Sequence, residues 1–152
     1  METNMTKQYK HTQVGYLVIV ILGICLFYLA SMMIISGFDW IPFTVLVILG
    51  VCVGLFSTLT VMIAESTLEI RFGLGIIRKK FHLKDIESCQ VVKNPWYYGW
   101  GIRLTPHGWL YNVSGFYAVE IKMKTGKKYR IGTDVPTDLE KAISQSLERV
   151  KE

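Results

Sequence analysis

Val14-Gly-Tyr-Leu-Val-Ile-Val-Ile-Leu-Gly-Ile-Cys-Leu-Phe-Tyr-Leu-Ala-Ser-Met-Met-Ile-Ile35 runs for 22 residues without one Asp, Glu, Lys, Arg or His. As a helix at about 1.5 Å per residue it is about 33 Å long, enough for a hydrocarbon core of about 30 Å. Ser36-Gly37-Phe38-Asp39-Trp40 breaks the run, and Trp is a residue that settles at headgroup level. Ile41 to Leu59 reads as a second span, with Pro42 near its start, where a helix tolerates it. So short a connector permits only an antiparallel pair. Residues 14–59 are therefore expected to form a two-helix transmembrane hairpin, with residues 1–13 as a cytoplasmic tail. A cleaved signal peptide fits poorly, because the apolar run is too long and a second one follows.

Outward from the hairpin, charge sets the expected orientation. Lys7 and Lys10 precede the first span, the connector has no Lys or Arg, and Arg71, Arg78, Lys79 and Lys80 follow the second. The positive-inside rule puts both termini in the cytoplasm of a two-pass cell-membrane protein. The whole chain is 51% hydrophobic, with 17 Lys and Arg against 12 Asp and Glu. That basic excess lies beyond the spans, where about ninety residues suffice for one modest core. Gly50-Val-Cys-Val-Gly54 is a small-xxx-small pattern, a flat face that lets another helix approach. The chain's own first helix, with its flat spot at Gly23, is the first expected partner, and a second copy or another membrane subunit is the other.

From Thr58 onward the period changes to two. Leu59, Val61 and Ile63 alternate with Thr58, Thr60 and Met62, as on a half-buried strand. Glu65-Ser66 turns the chain into Thr67–Phe72. Gly73-Leu74-Gly75 turns it again into Ile76–His82, and Ile86–Val92 follows. After an irregular stretch, Lys93–Gly101, further strands are read at 102–104, 109–113, 117–123 and 129–131. A three-residue loop at Lys124-Thr125-Gly126 places Gly126 in the left-handed position. Ile121 then pairs with Tyr129 and Val119 with Ile131 on the inner face, while Glu120 meets Arg130 and Lys122 meets Lys128 outside. Thr137-Asp-Leu-Glu140 has the form of a capping box, and Leu139, Ala142, Ile143, Leu147 and Val150 make one apolar helical face.

These residues resemble the bacterial pleckstrin-homology-like (PH-like) domain of small membrane proteins. The resemblance rests on Phe81-His-Leu-Lys-Asp-Ile86, on Tyr98-Gly-Trp-Gly-Ile102 and on the Val119–Gly132 hairpin. It implies an α+β domain over residues 58–152: about seven antiparallel strands in a small barrel or sandwich, capped by the C-terminal amphipathic helix. It carries no shared catalytic residues. Phosphoinositide-binding members have several Lys and Arg around a long first hairpin loop. Here that loop is Glu65-Ser66.

Chemistry points to binding rather than catalysis. His11, His82 and His107 are scattered, and Cys25, Cys52 and Cys89 have neither metal-ligand nor disulfide spacing. No nucleophile elbow, phosphate loop or carboxylate pair stands out, so no catalytic, metal or cofactor residue is expected. Two groups stand as candidates. Trp96, Tyr97, Tyr98, Trp100 and Trp109 are either core aromatics or an interfacial rim. Arg78, Lys79, Lys80, Lys122, Lys124, Lys127, Lys128 and Arg130 are either a solvated face or contacts to an anionic surface. The expected function is a non-enzymatic, membrane-anchored binding or scaffold module. Its partners are the lipid bilayer and a protein or its own copies, not nucleic acid. An accessory subunit of a larger membrane complex, or an enzyme using the aromatic stretch, is the alternative.

Overall fold

The computed structural model describes residues 7–151. Along the chain come β1 (Lys7–Val14), α1 (Tyr16–Ser36), α2 (Trp40–Phe56), β2 (Thr58–Ala64), β3 (Thr67–Phe72), β4 (Ile77–His82) and β5 (Ile86–Lys93). They are followed by β6 (Gly101–Thr105), β7 (Gly108–Asn112), β8 (Tyr117–Met123), β9 (Lys128–Gly132) and α3 (Pro136–Lys151). Single 3-10 turns occupy Leu83–Asp85 and Trp96–Tyr98.

The first correction concerns the tail. Residues 1–6 lie outside the described residues, but 7–14 form β1, which pairs antiparallel with β2 from Tyr9↔Ile63 to Val14↔Thr58. The two apolar helices are thus an insertion between two neighbouring strands of one sheet. The Gly15 N–H donates to the Ser57 carbonyl at 2.7 Å, tying together the points where the chain leaves the sheet and returns. A Cβ at Gly15 would press on the Val113 carbonyl oxygen, 2.9 Å away.

α1 is long and apolar enough to cross a membrane. It has no buried side chain, and Phe27, Ile34 and Ile35 are exposed. A helix apolar on all sides, with only α2 beside it, does not match a water-facing helix, which keeps one polar face. α2 is shorter than the expected second span. Its 17 residues end at Phe56, because Thr58 and Leu59 already belong to β2. The Asp39 carboxylate caps it by accepting from the Ile41 N–H at 2.9 Å.

The strands make two sheets, in the orders β1-β2-β3-β4 and β5-β8-β9-β7-β6. They form an α+β sandwich and not a closed barrel. There are more strands than the seven expected, and they are not all antiparallel, since β7 runs parallel to β9. The register of the last hairpin is the one the loop length implies, Val119↔Ile131 through Lys122↔Lys128, with Gly126 at φ 87°. Alternation carries Leu59, Val61, Ile63, Leu68, Ile70 and Phe72 inward from the first sheet. Val119, Ile121, Ile131 and Tyr111 meet them from the second.

α3 lies on β5, β8 and the Leu83–Asp85 turn and buries Leu139, Ile143 and Leu147. It begins at Pro136, a residue whose missing N–H costs nothing at a first helical position. Thr137 therefore sits inside the first turn and is not the cap. Thr133 serves the entry instead, its hydroxyl accepting from the Val135 N–H at 3.2 Å.

Candidate functional site

Strand direction sorts the loops of the sandwich into two ends. Val14 and Thr58 mark the end that bears the helices. Antiparallel pairing brings the β3–β4 turn (73–76), the β5–β6 segment (94–100) and the β7–β8 loop (113–116) to that same end. Contacts agree: the Gly73 N–H donates to the Thr58 carbonyl at 2.8 Å, the Gln13 amide to the Ser114 carbonyl at 3.0 Å, and the Asn94 N–H to the Phe116 carbonyl at 2.6 Å. Gly73 lies against α2 so closely that a Cβ would overlap the Gly54 and Leu55 carbonyls.

The two ends differ in chemistry. At the helix-bearing end Leu74 (81%), Ile76 (72%), Trp96 (77%) and Tyr97 (64%) are exposed, with Phe116 and Tyr117 beside them. At the far end the turns are Glu65-Ser66, Lys84-Asp85, Pro106-His107 and Lys124 to Lys127, all polar or charged apart from one proline and one glycine.

The aromatic candidates divide. Trp96, Tyr97 and Tyr98 form one short turn with edge-on ring contacts at centroid distances of 6.1 and 5.1 Å, and Trp100 meets Phe116 at 6.3 Å. None of these four is in the core. Trp109 lies elsewhere, on the inward face of β7 in register with Tyr129.

The 94–100 segment folds over the back of the second sheet, opposite the core. Glu120 and Arg130, read from sequence as an outer pair, are both buried there. The Arg130 Nε donates to Glu120 Oε2 at 2.8 Å, its Nη1 donates to Asn94 Oδ1 at 2.9 Å, and the Lys128 ammonium reaches Glu120 Oε1 at 3.1 Å. Burial pushes the Glu120 carboxyl up, but the hydrogen bonds and charges of Arg130 and Lys128 outweigh it and hold it below the ordinary glutamate range. Leu110 is fully buried in the same row of the sheet.

The basic candidates divide as well. Lys122 pairs with Glu87, and Lys128 and Arg130 serve Glu120. Lys124 and Lys127 stand at the far turn, about 20 Å of β8 away from the helices. That is more than two screening lengths of about 8 Å. Arg78 and Lys80 face outward from the first sheet, over a 580 Å³ hollow shared with Lys10 and Arg71. Arg71 is already held in a two-point pair by Glu69, at 2.8 and 3.2 Å. Its guanidinium keeps the Glu69 carboxyl below its ordinary range.

Lys79 points the other way, into a cleft. β4 and β6 are edge strands of their sheets, and the sandwich is open between them as a 390 Å³ cavity. Phe72, Ile77, Ile102 and Tyr111 line its helix-bearing side, and Trp109 and Tyr129 line the side nearer the far turns. The Phe72 ring touches Phe56 of α2 at a centroid distance of 5.8 Å, so the cleft wall continues into the helix. The Lys79 ammonium stands 5.8 Å from the ring centroids of both Phe81 and Tyr129. Burial and the neighbouring Tyr129 push the Tyr111 phenol up. Except for Arg78, Lys79 and Trp109, sequence reasoning missed this cleft. Its walls come from five strands, and none of the residues is unusual in its own strand.

Gly23, Gly50 and Gly54 are not where α1 and α2 meet closely, for an added Cβ at any of them finds nothing within 4 Å. His11 binds Asp134 at 2.5 Å. Cys89 bonds the Ser144 hydroxyl at 3.3 Å, and burial pushes its thiol up. Among the described residues no cluster of His, Cys, Asp or Glu has the form of a metal site. Compared with protein-family models, with curated proteins and with solved structures, the chain matches none.

Proposed function

We propose that the chain is a two-pass membrane protein with both termini cytoplasmic. Its sandwich is a non-enzymatic, PH-like binding module seated with the helix-bearing end in the headgroup layer. The observation that carries this reading is the polarity of the sandwich: exposed Leu74, Ile76, Trp96, Tyr97 and Phe116 gather beside the helices, and the far turns are charged. Aromatic and aliphatic side chains at that level exchange water for the interfacial zone of a bilayer. Insertion between paired strands returns α2 to the side from which α1 left, as two passes require. At about 26 Å α2 is near the short limit for a span. The PH-like part of the reading is supported by the four-stranded antiparallel meander, a second sheet over it and a terminal helix. The parallel β7–β9 pair departs from a plain meander.

Single-cysteine variants in a background with Cys25, Cys52 and Cys89 replaced by Ala test the topology in intact cells. Phe38→Cys, in the helix connector, should react with an impermeant maleimide from outside, and Thr125→Cys only after permeabilisation. Labelling of both from the same side would refute the two-pass reading.

A further inference from the structure

The cleft between β4 and β6 has a one-sided chemistry. Its wall is apolar and aromatic, its charged residues are Arg78 and Lys79, and no acidic residue lines it among the described residues. Arg78 is engaged by the Gly75 carbonyl. The Lys79 ammonium, the Tyr111 and Tyr129 hydroxyls and the Trp109 indole N–H have no hydrogen-bond or ion-pair partner among the described residues. Lys79 and Trp109 can only donate, and the phenols donate readily. A cavity of this size, apolar with a few unpaired donors, has the makeup of a ligand site for an amphiphile that brings its own acceptor charge.

Position along the strands narrows the ligand. Phe72 and Ile77 are paired at the helix-bearing end of the sheet, and Lys79 is paired with Ile70 two residues further on. Two strand residues span about 7 Å. The headgroup layer of one leaflet is about 5–8 Å deep. With the strand ends at the hydrocarbon boundary, Lys79 stands at the level of lipid phosphates. The apolar part of the cleft opens below it, continuous with Phe56 of α2.

We infer that this cleft binds an anionic phospholipid of the surrounding bilayer, its phosphate on Lys79 and the upper part of one acyl chain against Phe72, Ile77 and Ile102. The inference rests on the membrane-seated reading above and adds a defined lipid site to it. Tyr111, Tyr129 and Trp109 supply further donors around the headgroup. The unpartnered edges of β4 and β6 become the two lips of the site.

The test uses the full chain in phosphatidylcholine nanodiscs doped with a phosphatidylglycerol that carries a diazirine near the top of one acyl chain. A second preparation carries the same probe on phosphatidylcholine. After irradiation, labelled peptides are mapped by mass spectrometry. The site predicts label on β4, β6 or β7 from the phosphatidylglycerol probe, falling about fivefold in Lys79→Gln, as for one lost surface charge, and returning in Lys79→Arg. Lys127→Gln, at the far turn, should leave it unchanged. Label on α1 and α2 but not on the cleft strands would overturn the lipid site and leave the membrane reading standing. Label on neither would overturn both. Equal cleft labelling by the two probes, insensitive to Lys79→Gln, would overturn the anionic selectivity.

Discussion

Replacing Arg130 by Met tests how the aromatic segment is held to the sandwich. The change keeps an apolar stem and removes the guanidinium from a carboxylate that is 4% exposed. Breaking a buried ion pair by deleting one partner costs about 3–5 kcal/mol, because the remaining charge stays buried. Here the Lys128 ammonium still reaches Glu120 at 3.1 Å, which favours the lower end, about 3 kcal/mol. Asn94 also loses the donor to its side-chain oxygen, worth about 1 kcal/mol. The expected loss is therefore about 3–4 kcal/mol. The double variant Glu120→Gln, Arg130→Met removes both charges and should recover most of it. Denaturant unfolding of the full chain in micelles, followed by near-ultraviolet circular dichroism, measures both. A loss under about 1 kcal/mol, the value of an exposed pair, would refute the buried network and the cover over it.

Acid should act through the same group. The folded Glu120 carboxyl lies below its unfolded value of about 4.3. Its stabilisation is thus fully present above that pH and lost as the pH falls through the folded value. Glu69, held low by the Arg71 hydrogen bond, works in the same direction. In Arg130→Met the Glu120 carboxyl is less strongly depressed, and its part of the acid loss should begin at higher pH.

Three further substitutions probe separate elements. Glu65 sits at φ 50° in the two-residue β2–β3 turn, so Glu65→Asn should raise stability by about 0.5–1 kcal/mol, seen as a higher unfolding midpoint. Gly108 has φ 97°, and a Cβ there would overlap the Lys128 carbonyl; Gly108→Ala should cost more than about 3 kcal/mol and open the parallel β7–β9 pairing to hydrogen exchange. Gly50→Ala with Gly54→Ala meets open space and should leave the fold unchanged by circular dichroism, whereas a shared seam with α1 would be disturbed.

The legible parts of the chain were those written in local pattern. Continuous apolarity marked α1, alternation marked β2 and β3, and the Gly126 loop set the β8–β9 register. β1 escaped because its inward residues are Tyr9, His11 and Gln13. They are half-buried or bonded, as His11 is to Asp134, but not apolar, so no period-two signal exists. Burial and the nearby Asp138 and Asp134 charges push the Tyr9 phenol up to about 12, as expected for a phenol drawn into the structure. The second span was drawn too long because Thr58 and Leu59 suit either a helix end or a strand start. Glu120 and Arg130 alternate as surface residues should, and only the 94–100 segment folding across them makes them interior. The parallel β7–β9 pair and the cleft beside it arise from strands far apart in sequence, where local pattern carries no information about who pairs with whom.

The central claim is that the sandwich rests on the bilayer by its helix-bearing end, and depth measurement by spin labelling tests it most directly. Nitroxides at positions 74, 76 and 96 of the full chain in lipid bilayers should show more collisions with oxygen and fewer with a water-soluble nickel chelate. Nitroxides at 65 and 125 should show the reverse. Equal access of the nickel chelate to all five positions would contradict the account, leaving the sandwich free in water above the membrane.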